Sequence, residues 1–165
     1  MSAISSIKRA AAFSNGDLTQ DAIVLKIMEP GRCHCFHCWP STWAAINDYL
    51  GTNGPIEDEG DLAIETDAGR IVLECHESGP EIVAFINLGT AIVSLAAAIT
   101  SLAVAIISAR RTHTDSRSKS LHLRITRSTR GQIDGNSSIE MELPVSGEVG
   151  DLIMQHVLSA IERHT

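Results

Sequence analysis

Cysteine and histidine residues are concentrated in one short segment, CHCFHC, which spans residues 33 to 38. Its three cysteines have the spacing C-x-C-x2-C, and a fourth cysteine follows much later in the chain. Structural zinc sites take four soft or borderline ligands in a tetrahedron. The sequence therefore predicts a candidate zinc site whose ligands are Cys33, Cys35, Cys38 and Cys75.

Other interpretations of these residues remain open. His37 or His76 could replace one thiolate, and the cysteines could equally be reduced, partly buried residues beside solvent-exposed histidines. No signal peptide is recognisable, so we expect a cytoplasmic protein in which disulfides are not the first assumption. The chain lacks the G-x-S-x-G, Walker A, G-x-G-x-x-G and H-E-x-x-H motifs. We therefore expect no enzyme, and a zinc-dependent or thiol-dependent enzyme is the remaining catalytic alternative.

Three predicted elements position the cysteines. A strand over DAIVLKIME (Asp21–Glu29) precedes the segment, and a short helix over Ser41–Gly51 follows it. A hairpin over Asp61–Glu77, with its turn at DAG, carries Cys75 on its returning strand. A metal bound by all four cysteines would tie the loop to this hairpin.

A long apolar segment dominates the middle of the chain. Residues 82 to 109 carry no charge, and we predict one helix from about Pro80 to about Arg111. Proline and glutamate suit a first helical turn, and the arginine pair at 110 and 111 suits a last turn. The segment exceeds the roughly 20 residues that a membrane span needs. A span and a buried helix both remain open.

One side of this predicted helix carries small and weakly polar residues. Four of them recur at intervals of seven, and alanines and a threonine lie nearby. Such stripes let helix backbones approach closely, in lipid or in water. We predict a helix interface with another helix or another copy, and place Ala96 and Ala103 outside it. The predicted interface residues are Asn87, Thr90, Ser94, Ala97, Ser101, Ala105 and Ser108.

The C-terminal third of the chain also alternates apolar and polar residues in two segments, as a hairpin does. Strands are predicted over residues 120–128 and 138–144, with a turn between them and an amphipathic helix from about Gly147. Arg124 is expected to pair with Glu140 or Glu142. The fold class is α+β: a small antiparallel sheet of two hairpins plus an N-terminal strand, covered by one long apolar helix and a C-terminal amphipathic helix. A bilayer would separate the two hairpins, and isolated hairpins are marginally stable.

This organisation divides the chain into four regions. Residues 1–20 are expected to form a flexible tail, and residues 21–79 the N-terminal strand, cysteine loop, short helix and hairpin. Residues 80–111 form the long apolar helix, buried or transmembrane. Residues 112–165 form a linker, a hairpin and the C-terminal helix.

The chain is acidic overall, and its charged residues are unevenly distributed. The net charge is -7, which argues against a general nucleic-acid-binding protein. Residues 57–81 hold nine acidic side chains and one arginine, whereas residues 110–130 hold seven basic side chains and one aspartate. Membrane topology, a basic contact surface or pairing between the two segments would each explain this asymmetry.

The order of elements from about residue 60 to residue 165 resembles a known family. An apolar helix ending in SARR is followed by LHLRITR, IEMELP and DLIMQHVLSAI. This order resembles the effector-associated constant component family of bacterial conflict systems. The resemblance implies a non-enzymatic adaptor or regulatory component that couples to an effector protein encoded nearby, and it transfers no catalytic residues.

The expected assembly follows from the long helix. We expect a homo-oligomer formed through it, in the cytoplasm or associated with the inner membrane. A different class of function also fits, namely a small membrane-active effector whose helix over residues 82–109 oligomerises in the bilayer.

Overall fold

The computed structural model describes residues 4–9, 21–29, 31, 33–34, 37–50, 62–66, 69–76, 79–86, 91–113, 121–129, 132–144 and 148–162. It contains seven strands and three helices in these ranges. The strands are β1 (Ile4–Arg9), β2 (Asp21–Met28), β3 (Leu62–Thr66), β4 (Gly69–His76), β5 (Gly79–Ile86), β6 (His122–Thr129) and β7 (Gln132–Glu142). The helices are α1 (Pro40–Leu50), α2 (Ile92–His113) and α3 (Gly150–Glu162).

All seven strands form one antiparallel sheet in the order β1-β3-β4-β5-β2-β6-β7. The three helices pack on one face of it, with α2 in contact with both α1 and α3. The predicted α+β class is therefore confirmed, including the long apolar helix and the C-terminal helix above the sheet. Strand β2 joins the two predicted hairpins, because it pairs with β5 on one side and with β6 on the other.

The core lies between the sheet and the helical layer. Ile23, Leu25 and Ile27 alternate along β2 and are fully buried beneath the helices. Leu95 and Ile99 of α2 pack into the same cluster. Each such side chain contributes about 1.5–3 kcal/mol through removal of its apolar surface from water.

The predicted start of the long helix at Pro80 is wrong. Residues 79–86 form strand β5, and the helix begins at Ile92. The turn before β5 depends on Gly79, whose φ is 130°. A Cβ atom there would collide with the carbonyl oxygen of Ile27, so only glycine lets β5 lie against β2.

Two further predictions require correction. Part of the expected flexible tail, Ile4–Arg9, is strand β1, which pairs with β3 at the edge of the sheet. The predicted turn between the C-terminal strands is shorter than expected, because β7 already begins at Gln132. The extra length of β7 is accommodated by an irregularity in its pairing with β6, between Thr126 and Ser128.

The sheet face opposite the helices carries a row of charged residues across five strands. Glu74, Glu81, Lys26, Arg124 and Glu140 are successive cross-strand neighbours on β4, β5, β2, β6 and β7. The Lys26 and Glu81 side chains form an ion pair at 3.2 Å, and Arg124 and Glu140 form one at 3.0 Å, as predicted for Arg124. Glu81 of the acidic segment thus pairs with Lys26, and Arg124 of the basic segment pairs with Glu140, so neither of these ion pairs joins the two segments to each other.

Candidate functional site

The cysteine loop connects the end of β2 to the start of α1. Its described residues alternate between exposed and buried positions: Cys33, His37 and Cys38 are exposed, whereas His34 and Trp39 are buried. The loop is therefore held by two ring side chains and presents Cys33, Cys38 and one imidazole to solvent. The cysteines are recognisable from the sequence, but no sequence pattern indicates the two buried rings that hold them.

His34 is fixed by backbone and side-chain contacts on both sides. The backbone N–H of Glu29 donates to its Nε2 at 2.6 Å, and Trp43 Nε1 donates to its carbonyl oxygen at 3.0 Å. Because Nε2 accepts a hydrogen bond, it carries no proton, and the ring is the neutral tautomer with its proton on Nδ1. His34 therefore acts in this structure as a connector between β2 and α1.

Trp39 lies between the imidazole and a guanidinium group. Its ring centroid is 4.6 Å from that of His34 in an edge-to-face arrangement, and Arg110 Cζ lies 4.3 Å from the Trp39 ring. The second contact is a cation–π interaction, which is stronger where the cation is shielded from water. Among the described residues, no acceptor lies within hydrogen-bonding distance of Trp39 Nε1. Ring contacts therefore hold this residue.

Arg110 ties the end of α2 to the same cluster. Its Nε donates to Glu29 Oε1 at 2.7 Å, and both side chains are almost fully buried. The neighbouring Arg111 donates from Nη2 to the carbonyl oxygen of Pro144, which follows β7. The two arginines thus fix the C-terminal end of α2 to the sheet on two sides. Sequence analysis assigned them only to a helix terminus, since no local pattern indicates a partner so distant in sequence.

The four predicted zinc ligands differ in their position and in how far the structure describes them. Cys33 and Cys38 are exposed on the loop, and Cys35 lies outside the described residues. Cys75 belongs to β4, where its backbone is paired with Pro80, but its side chain lies outside the description. In the described part of the chain, no group of three or more histidine, cysteine or acidic side chains is placed to hold a metal. The zinc site remains a prediction.

Topology nevertheless brings the cysteine loop and Cys75 to the same end of the sheet. Gly79, beside the β4–β5 turn, approaches the carbonyl of Ile27, and β2 ends one residue later. The loop starts at that point, and Cys75 lies near the same turn. The expected connection between the cysteine loop and the first hairpin is therefore consistent with the order of the strands.

The predicted stripe on α2 faces away from the sheet. Ser94, Ala97, Ser101 and Ser108 are exposed and Ala105 is half-buried, whereas Asn87 and Thr90 lie outside the described residues. Between residues 91 and 109 this exposed surface carries no charged side chain, and Val93 at its N-terminal end is 66% exposed.

Ala96 and Ala103 lie on the opposite side of α2. They were predicted to lie outside the stripe, and they do: both are fully buried against the core. The side of α2 that faces the sheet therefore contains small residues as well as bulky ones.

Helix α2 is apolar enough to cross a membrane. Within Ile92–Arg111, the most apolar 18-residue window has a mean hydropathy of 2.3, and 39% of that window is buried within the structure. Core helices of soluble proteins meet the same criterion. Strands β5 and β6, which precede and follow α2, both pair with β2. A spanning α2 would place β5 and β6 on opposite sides of the bilayer, so they could not both remain paired with β2.

Comparisons of this chain with protein-family models, with curated proteins and with solved structures find no match.

Proposed function

We propose that this protein is a non-enzymatic adaptor or regulatory component of a bacterial conflict system, which self-associates through α2 and couples to an effector protein. The observation that supports the self-association is the outward face of α2. A solvent-facing helix surface in a globular domain normally carries charged residues, whereas this one presents serine, alanine and valine over about five turns. The resemblance in element order supports the conflict-system context.

A second copy is the occupant that this face suits best. Small side chains let two helix backbones approach closely, and serines can satisfy their hydroxyl groups across the contact. In an isologous interface the same face of each copy meets its partner, and a surface without charged side chains avoids like-charge repulsion there. The flanking helices α1 and α3 support α2, so its face is presented on a rigid layer.

The self-association is tested by introducing charge into the face. Ala97→Arg and Ser101→Arg place guanidinium groups at exposed positions, so the folded chain should tolerate them while the contact should not. Sedimentation velocity should show an oligomer for the wild type and a monomer for either variant. Ala44→Arg, at an exposed position of α1, is the matched control and should sediment like the wild type. A wild-type monomer across the concentration range would refute self-association.

The effector coupling has its own test. The chain is co-expressed with the products of the genes that flank its own, and co-elution in gel filtration is measured. A stable complex with one of these products, retained by Ala44→Arg, is the expected result. Failure of every flanking product to form a complex would refute the coupling and leave self-association to be judged separately.

A membrane-active effector is the second candidate, favoured by the length and hydropathy of α2. This function requires α2 to leave the layer in which Leu95, Ile99 and Ile106 are fully buried. Flotation of the purified chain with vesicles of mixed zwitterionic and anionic lipids distinguishes the candidates. Recovery with the vesicles would favour the membrane-active effector, whereas recovery in the aqueous fraction would favour the adaptor.

A further inference from the structure

Two exposed cysteines in the loop each precede a buried ring. Cys33 is followed by His34, and Cys38 is followed by Trp39. Both are solvent-exposed residues, which makes their thiols candidates for reaction with a small reagent in solution. The buried neighbours restrain the backbone on which each thiol is carried.

The two anchors also contact each other. The His34 and Trp39 ring centroids are 4.6 Å apart, so two residues five positions apart in sequence are held in contact. Closing a loop costs conformational entropy, and here folding has met that cost before any covalent bond forms. The ring contact therefore raises the effective concentration of the Cys33 thiol around the Cys38 thiol.

From this geometry we infer that Cys33 and Cys38 form a redox-responsive dithiol, which closes to a disulfide by exchange with a small-molecule disulfide such as oxidised glutathione. One thiolate attacks a glutathione sulfur, forms a mixed disulfide and releases one glutathione. The second thiolate then attacks the protein sulfur of the mixed disulfide and releases the other glutathione. The two cysteines lose two electrons and two protons. The electrons reduce the glutathione disulfide, and the protons end on its two released thiols.

Cys75 is a less suitable partner for this reaction. Its backbone is held in β4 opposite Pro80, so it cannot follow the loop without loss of strand pairing. The reduced dithiol is the form expected in a reducing cytoplasm, and its closure would report oxidation. The same sulfurs can bind a metal, so the exchange is measured with a chelator present.

The test uses the full chain with Cys35→Ser and Cys75→Ser, which leaves Cys33 and Cys38 as its thiols. It is equilibrated with mixtures of reduced and oxidised glutathione, and the disulfide fraction is measured by mass spectrometry after alkylation. The same titration is repeated in urea. Because folding holds the two anchors together, the equilibrium constant should be at least about tenfold larger for the folded chain.

Both tryptophans of the protein, Trp39 and Trp43, lie at this site and provide a second measurement. Closure next to Trp39 should lower the intrinsic fluorescence in parallel with the loss of thiols. Equal equilibrium constants in the folded and urea-denatured chain, or adducts with one glutathione that do not resolve, would overturn the inference. If the double variant does not fold, peptide mapping of the oxidised wild type decides: a Cys33–Cys38 linkage supports the dithiol, and linkages through Cys35 or Cys75 refute it.

Discussion

Arg110 and Glu29 form a buried ion pair between residues 81 positions apart in sequence, with Nε and Oε1 separated by 2.7 Å. The pair joins the C-terminal end of α2 to the end of β2, where the cysteine loop begins. Burial removes both charges from water, so each depends on the other for compensation. The Trp39 ring beneath the guanidinium links this pair to the loop.

Removal of one partner from this pair should destabilise the fold strongly. Glu29→Gln leaves a buried guanidinium without its carboxylate, and the free energy of unfolding should fall by about 3–5 kcal/mol. Arg110→Met should have a cost of similar size, while the double variant should cost less than the two single variants together. Urea denaturation of all four chains gives this coupling directly.

An exposed arginine–glutamate pair provides the control. Arg124 and Glu140 lie 3.0 Å apart, but both side chains are more than 40% exposed. Arg124→Met should therefore lower the free energy of unfolding by less than about 1 kcal/mol. Similar costs at Arg110 and Arg124 would show that burial does not strengthen the first pair.

Alanine substitutions at two glycines distinguish the cost of backbone strain from the cost of a steric collision. Gly69 and Gly79 have φ values of 133° and 130°, but only at Gly79 would a Cβ meet another atom, the carbonyl oxygen of Ile27. Gly69→Ala should cost about 1–3 kcal/mol through strain alone. Gly79→Ala should cost at least about 1 kcal/mol more, because β5 must move away from β2. Equal costs in thermal or urea unfolding would contradict the close approach.

Alternation of apolar and polar residues predicted most of the sheet. A strand was predicted over residues 120–128, and Leu121, Leu123 and Ile125, which alternate along it, are buried. The same rule failed at residues 79–86, since Pro80 and Glu81 also suit the first turn of a helix. Pairing with β4 and β2 decides the strand, and β2 is distant from it in sequence. Strand preference depends on such neighbours more than on the residues themselves.

The candidate site could be predicted only where its chemistry was local. The cysteine segment was recognisable from its composition, whereas the contacts of Glu29 and Arg110 arise from the packing of α2 on the sheet. The faces of α2 were also ambiguous, because the helix lacks charge on every side until residue 110. Ala96 and Ala97 differ by one position, yet the first is buried and the second is exposed.

This difference predicts opposite effects of the same substitution on neighbouring residues. Ala96→Leu and Ala103→Leu add volume to a packed core and should each lower the free energy of unfolding by about 1–3 kcal/mol. Ala97→Leu adds volume towards solvent and should change it by less than about 0.5 kcal/mol. Unfolding is compared at a concentration where all variants are monomeric, so that contacts between copies do not contribute. A larger cost at Ala97 than at Ala96 would mean that α2 is rotated relative to this structure.

The zinc prediction is tested by metal analysis of the chain purified under reducing conditions. If Cys33, Cys35, Cys38 and Cys75 are the ligands, the protein should contain about one zinc per chain. Cys75→Ser should lower the zinc content, because it removes the ligand contributed by β4.

The effect on stability completes this prediction. Metal binding to a folded site adds to the stability of the fold, so a chelator should lower the melting temperature of the wild type. His37→Asn is the matched control on the exposed part of the loop, and it should retain zinc if all four ligands are thiolates. Loss of zinc in this variant would instead make His37 a ligand. Zinc content near zero, together with a melting temperature that chelation does not change, would refute the zinc site. The loop would then be held by the buried His34 and Trp39 rings without a metal.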